Sequence, residues 1–431
     1  MFSTLEINSL SHDLDSTVGM KFLKYFFLLP LALSVATLFM GCKSDEADGD
    51  DSNDIVVDVL EPGDTAARTV LVYMMAENNL SYFAGLDLAE MNRSAATVPD
   101  SCYMLAFVDA LSNPYICRFY RNAKGFATCD TVYSFDEDFN STDTLHFNRV
   151  LDWVASEYPS KNFGLVMWSH GSGWTRNLSY SRSIGADNGM NSESGISYKS
   201  MEMEELAGSL GRLPAKMDYI LFDACFMQSA EVVYELRNSA EWLIGSAAEI
   251  PANGAPYDRI ITELFSFPFN PDALIQKYSK GYSSYLGVLL SAVKCSAIDG
   301  LADATSAFVP AYFSCDSVVD YSDVFSYLSG GCFWGNNLYP EYFDMNAVML
   351  HRLPDDAYHA WRSALDEAVP YKVASSKWLS GIRECNYAVN DSVYSGLSMF
   401  VPRVDTKYAR LNADFKTTGW YNATGWSSAG W

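Results

Sequence analysis

ILFDACFMQSAEVVYEL, residues 220–236, opens as an apolar run, breaks at Asp223 to Cys225 and resumes as an amphipathic pattern. Its first half lacks polar alternation and reads as a strand covered on both faces; its second half reads as a helix with Ser229 at the cap position. FGLVMWSHGSGW, residues 163–174, has the same opening, an apolar run ending in a polar turn with His170 at the corner. RTVLVYMMA (68–76) and YMLAFVDA (103–110) are further runs of this kind, and EWLIGSAA (241–248) is another strand. Helical periodicity fills 80–95, 144–158 and 198–210 between them. Strands alternating with helices predict an α/β fold, with helices on both faces of a mostly parallel sheet. Beyond about Asp258 the pattern loosens into a C-terminal extension, with helices expected at 258–266, 272–298 and 353–376 and a late strand at 394–402. The closing GWYNATGWSSAGW carries three tryptophans and is expected to dock on the domain.

With 431 residues, 49% of them hydrophobic, the chain can bury a large core. Its formal charge of -24 opposes binding to nucleic acid or an anionic membrane surface and favours cationic ligands. MKFLKYFFLLPLALSVATLFMGC, residues 20–42, has two lysines, an uncharged apolar run and small Gly41 before Cys42. That order is a secretory signal and resembles the lipobox of bacterial lipoproteins, with Met20 as the start and Cys42 as the lipidated residue. A transmembrane helix is the competing reading, but Pro30 interrupts the run and Tyr25 to Met40 is short for a span. The reading places the protein outside the cytoplasm, periplasmic or on the cell surface, anchored to the outer membrane by lipid alone. Residues 43–66 form an acidic linker, and a tract of that kind is also similar to the surface-export signal of some lipoproteins. The nine cysteines show no CxxC spacing, which argues against a zinc ribbon or thioredoxin motif. Cys102, Cys117, Cys129, Cys295, Cys315, Cys332 and Cys385 can pair in part, and their odd number leaves one over.

A cysteine between a strand end and a helix start faces unpaired N–H groups and the positive end of a dipole, which favours thiolate. An imidazole nearby accepts or returns the proton. Of the other histidines, His12 precedes the signal and His146, His351 and His359 lie in helical patterns. Ligands of open α/β sheets bind beyond the carboxyl ends of the strands, so His170 and Cys225 can share one rim. Gly171 lets the backbone approach a carbonyl, and its N–H with that of Cys225 can form an oxyanion hole. A buried core cysteine and a turn-capping histidine are the alternatives.

TVLVYMMAENNL (69–80), YPSKNFGLVMWSHGSGW (158–174) and FDACFMQSAEVVYEL (222–236) resemble, in order, blocks of the clostripain family of caspase-like cysteine peptidases. The resemblance implies a caspase-like catalytic core over 67–258, with 259–431 packed on it. It also implies that Cys225 is the nucleophile, His170 its partner and Asp223 the floor of a pocket for arginine or lysine. Asp223 as a helix cap is the other reading. Glu249 falls where a pocket wall is expected, although SAAEIPANGAPYD differs from better-known members. Relatives mature by cutting between the two blocks, where Arg176, Arg182 and Lys199 stand in a polar loop. No cofactor or metal is required by the sequence; some relatives use calcium, for which DEDFNSTD (136–143) is a weak candidate. The function so implied is cleavage of protein or peptide substrates after basic residues through an acyl-enzyme. The alternatives are a non-catalytic surface binding lipoprotein on the same scaffold and another acyl transfer on the same dyad.

Overall fold

A computed structural model describes residues 60–175, 183–189, 199–282, 287–328, 333–334, 337–338, 342–380, 383–385 and 389–431. The signal stretch, Cys42, most of the acidic linker, Arg176 and Arg182 lie outside the described residues. The strands used below are β1 (Arg68–Met75), β2 (Cys102–Asp109), β3 (Tyr115–Arg121), β4 (Ala127–Ser134) and β5 (Phe163–Trp168), then β6 (Ile184–Asp187), β7 (Lys199–Met201), β8 (Met217–Asp223), β9 (Ala240–Gly245) and β10 (Leu289–Lys294). The helices are α1 (Ser81–Ser94), α2 (Thr144–Glu157), α3 (Met203–Leu210), α4 (Ala230–Leu236), α5 (Tyr257–Leu264) and α6 (Pro271–Gly281).

Nine strands form one sheet in the order Tyr371–Ala374, β10, β9, β8, β5, β1, β2, β3, β4. The five from β9 to β2 are parallel, and an antiparallel pair flanks them on each side. β1 is buried along its whole length, as its unbroken apolar run requires. Successive residues alternate between two cores. Leu71, Tyr73, Leu165, Met167, Ile220 and Phe222 meet α2, α3 and α4 through Phe147, Val150, Leu206 and Val232. Val70, Val72, Val166, Tyr219 and Leu221 meet α1, α5 and α6 through Ala84, Met91, Ile260 and Leu274. This is the three-layer α/β/α sandwich that the alternating pattern implies.

Several boundaries differ from expectation. The β3–β4 hairpin escapes the sequence pattern because β4 is largely solvent-facing and carries Thr128, Asp130 and Thr131 among its few apolar residues. The stretch 272–298 is not one helix: α6 ends at Gly281, and LLSAVK becomes β10. Likewise 353–376 holds the helix Asp355–Ala368 and then the strand Tyr371–Ala374. In both cases a short apolar run following a helix was absorbed into the helical period. The stretch 198–210 starts as β7 before α3, and the late strand shrinks to Ser398–Met399, paired with Phe343–Asp344. Residues beyond 258 thus complete the central sheet itself. The terminal segment is docked, with Trp420 and Trp426 fully buried and the Trp431 indole N–H donating to the Phe313 carbonyl at 2.6 Å.

Candidate active site

Sheet register brings the two corners together. β5 and β8 run parallel with Trp168 beside Asp223, so His170 and Cys225 each stand two residues past the same register pair. On the other side Trp168 pairs with Met74 of β1, from which the chain turns away in the opposite direction. That reversal opens a crevice at the carboxyl edge. Gly171 sits hard against the second corner: a Cβ there would lie 2.6 Å from the Cys225 carbonyl oxygen and 3.1 Å from the Ala224 methyl. Only glycine fits. Among the described residues, neither the Gly171 nor the Cys225 N–H donates to a protein acceptor. Both amides are therefore available to a bound oxygen.

The cysteine corner is strained and braced. Phe226 adopts φ 59, a left-handed conformation costing about 1–2 kcal/mol for a residue with a Cβ. Its ring stacks on Tyr342 at 4.6 Å, and its N–H donates to the Ala248 carbonyl. Buried Gln228 donates from Nε2 to the Leu243 and Ser291 carbonyls, both at 3.0 Å, and its own carbonyl accepts the Ser398 N–H. Residues far along the chain therefore hold the bend in place.

The electrostatics correct one expectation. α4 starts at Ala230, five residues past Cys225, with Ser229 as its cap, so the dipole does not reach the sulfur. Burial, reinforced by the charge of Glu249, pushes the Cys225 thiol up to about 12, although the Ile250 N–H, 3.3 Å from Sγ, opposes the rise. The thiolate is disfavoured in this resting arrangement. His170 is half-buried, and desolvation lowers its pKa. Its Nε2 lies 2.7 Å from Asn79 Oδ1. With Asn79 as acceptor, Nε2 carries the proton and Nδ1 keeps its lone pair. No hydrogen bond joins imidazole and thiol here, a looseness common before substrate binds.

Asp223 does not cap α4. It is buried and accepts from the Ala255 N–H at 2.8 Å, the Tyr257 hydroxyl at 3.1 Å and the Tyr278 hydroxyl at 2.8 Å. Beside it lies Asp87 of α1, bonded to the Trp168 indole N–H at 2.7 Å. A Cβ on Gly254 would fall 2.5 Å from Asp87 Oδ2 and 2.9 Å from Asp223 Oδ2, so both carboxylates bracket that glycine. Burial raises both carboxyls, and the Asp223 charge adds to the rise at Asp87, which is pushed up to about 9, so the pair shares a proton at neutral pH. Glu249 bridges to Leu379 through the backbone and stands on the thiol's side of the corner.

The model of the clostripain family matches residues 72–431. The chain belongs to the clostripain family. Clostripain of Hathewaya histolytica is 24% identical over 227 residues, a match spanning 46% of this chain and only 42% of that protein's length. A secreted C11 cysteine protease from Bacteroides thetaiotaomicron, solved with an irreversible peptide inhibitor, is 29% identical and superposes with a TM-score of 0.71, covering 84% of this chain and 100% of that one. An inactive zymogen C11 protease from Parabacteroides distasonis is 27% identical with a TM-score of 0.71, over 84% and 99% of the two chains. The caspase-like fold expected from the sequence is thus shared with these members.

In this clostripain-family chain two site-neighbouring residues escaped the sequence reading. Asn79 sits in the turn after β1, where nothing local marks it as a partner of His170. Asp87 left a signal: it falls on the buried face of α1 with Ala84 and Met91, an acid at an apolar position. The expected disulfides are not formed among the described residues, where Cys102, Cys117, Cys129, Cys295 and Cys315 are free thiols. In the stretch 136–143, Asp143 caps α2 by accepting the Leu145 N–H. No helix of the described residues is long and apolar enough to cross a membrane.

Proposed function

We propose that the protein is a cysteine endopeptidase cutting after arginine or lysine, exported and held on the outer membrane by lipid on Cys42. The observation that carries this is the pair of uncommitted amides at Gly171 and Cys225, beside a thiol and an imidazole at one sheet edge. Substrate entry displaces water and brings the Cys225 proton to His170 Nδ1. The thiolate then forms a C–S bond with the scissile carbonyl, and the two amides hold the oxyanion, each worth roughly 3 kcal/mol at the transition state. His170 returns the proton to the departing amine as the C–N bond breaks. Water, deprotonated by the same ring, hydrolyses the thioester and restores the thiol. A basic side chain entering near Asp223 meets the charge of the Asp87–Asp223 pair, with Glu249 at the rim. The peptide inhibitor on the Bacteroides relative supports a peptide substrate, and the Parabacteroides zymogen supports a precursor matured by cleavage within 176–199.

One experiment tests the parts together. Cells carrying the wild type, Cys225→Ala or Cys42→Ala are assayed with arginine and lysine fluorogenic peptides in membrane and soluble fractions. Cys225→Ala should lose at least about 10³-fold in turnover, and Cys42→Ala should keep activity but leave the membrane. Turnover retained without Cys225 would falsify the nucleophile assignment, and unchanged fractionation without Cys42 removes the anchor. The raised thiol favours a second reading, a binding protein on this scaffold. Preferential labelling of Cys225 by an iodoacetamide probe decides against it.

A further inference from the structure

Among the described residues, two that are not glycine adopt a left-handed backbone: Phe226 at φ 59 and Tyr342 at φ 45. They are distant in sequence, yet their buried rings stack on each other, with centroids 4.6 Å apart and planes inclined by 14°. Phe226 directly follows Cys225, and Tyr342 directly precedes the short strand Phe343–Asp344. A residue with a Cβ holds this conformation only where its surroundings impose it, and such strain gathers at functional sites. Here both strained residues meet behind the cysteine corner.

The far end of Tyr342 reaches the histidine corner. Its hydroxyl donates to the carbonyl of Ser172, the residue after Gly171. Gly173 lies beneath the ring at φ 66, where a Cβ would fall 2.7 Å from the Phe226 carbonyl oxygen and 3.3 Å from Tyr342 Cε1. One side chain therefore grips both corners, by ring contact on one side and by hydrogen bond on the other. The two uncommitted amides belong to Gly171 and Cys225, and Tyr342 holds the next residue of each, Ser172 and Phe226. The β5–β8 ladder ends at Trp168 and Asp223, short of both amides, so their spacing needs a further tie. Tyr342 has a firm base for that task. Its carbonyl accepts the Tyr327 N–H at 2.9 Å, Phe343 pairs with Met399, and buried Asp344 accepts the Ala347 N–H at 3.0 Å and the Ser395 N–H at 2.7 Å.

We infer that Tyr342 is a positioning residue, a strut that sets the spacing of the Gly171 and Cys225 amides for the oxygen of the tetrahedral intermediate. This rests on the peptidase reading of the site. An oxyanion hole works because its donors are fixed before charge develops, and two donors on separate loops keep their spacing only if something spans them. The hydroxyl is what sets a strut apart from a packing ring, since phenylalanine would supply the stack alone. The Ser172 carbonyl also accepts the Thr175 hydroxyl at 3.0 Å, so it keeps a donor when the tyrosine hydroxyl is removed. Tyr342→Phe therefore cuts the tie between the corners while leaving the packing and the Ser172 carbonyl satisfied.

The test compares the full exported chain as wild type and as Tyr342→Phe, using three probes of Cys225. A fluorogenic arginine or lysine peptide reads turnover. A peptide aldehyde of the same sequence adds the thiol across its carbonyl, forming a C–S bond and passing the thiol proton to the oxygen, which the two amides then hold. Iodoacetamide alkylates the sulfur by displacing iodide and places no oxygen between the amides. Tyr342→Phe is expected to lower kcat about 10- to 100-fold, short of the roughly 10²- to 10³-fold cost of deleting a donor outright. KM should stay within about twofold, because the lost interaction belongs to the transition state. Aldehyde inhibition should weaken by a factor similar to the fall in kcat, while the alkylation rate stays within about twofold of the wild type. Turnover and aldehyde inhibition equal to the wild type would overturn the inference, as would a raised KM at unchanged kcat. Turnover and alkylation lost together, with a thermal midpoint lowered by more than about 5 °C, would assign Tyr342 a structural role and overturn it too. A wild type without turnover, or turnover kept by Cys225→Ala, sinks the peptidase reading itself and the strut with it, so the two failures are told apart.

Discussion

Cys225 is held as a thiol by two separable influences, burial and the Glu249 charge, with burial the larger. Removing the charge while keeping the shape should therefore free part of the thiolate. Glu249→Gln is expected to lower the thiol pKa by about half a unit to one unit, raising iodoacetamide alkylation at pH 8 about three- to tenfold. A pH series of alkylation rates reads this directly, and an unchanged midpoint would remove Glu249 from the account. The positions of His170 and Cys225 were legible because each stands where an apolar run ends, a local signal that parallel register converts into proximity. The state of the thiol was not legible. It depends on where α4 begins and on Ile250 and Glu249 folding over the sulfur, which are tertiary facts. Asn79 was illegible for the same reason, since one polar residue in a turn has many possible partners.

The short helix α4 shows what an element contributes beyond its period. Its first-turn residue Glu231 is buried, accepts the Phe400 N–H at 2.8 Å through Oε1 and is pushed up to about 7 by burial. A carboxyl raised in the fold from 4.5 contributes fully below about pH 4.5, and that contribution is lost as pH rises through about 7. The loss amounts to about 3 kcal/mol. Glu231→Gln mimics the protonated form and keeps the acceptor for Phe400. Urea unfolding at pH 5 and pH 8 should show the variant and wild type alike at the lower pH and the variant more stable at the higher. A constant difference across pH would refute the assignment. The long periodic elements, α1, α2, β1, β5 and β8, were all readable from sequence. β4 was not, because an exposed edge strand lacks the buried pattern that announces the others.

For the molecule as a whole, the decisive fact is that the sheet does not end where the family blocks end. β10 pairs antiparallel with β9, and Tyr371–Ala374 pairs with β10, so the C-terminal half supplies one flank of the sheet. Its last residues matter too, since burial of Trp420 and Trp426 is each worth about 3–5 kcal/mol. Deleting residues 419–431 should therefore consume most of a typical reserve of about 5–15 kcal/mol. The truncated chain is expected to unfold at much lower urea, or to come out insoluble, when followed by tryptophan fluorescence. A midpoint close to that of the full chain would show the tail to be dispensable.

The brace on the cysteine corner has a bearing on how the producing cell stays safe. Gln228 is gripped by Ser291 and Ser398, and Glu231 by Phe400. A nascent chain threads outward from its amino end, so these late clamps arrive last. The Cys225 corner is thus completed only after nearly all of the polypeptide has left the ribosome, which would time the onset of the proposed reactivity by length. Chains halted before Ser398 should resist a thiol-directed probe that full-length protein accepts.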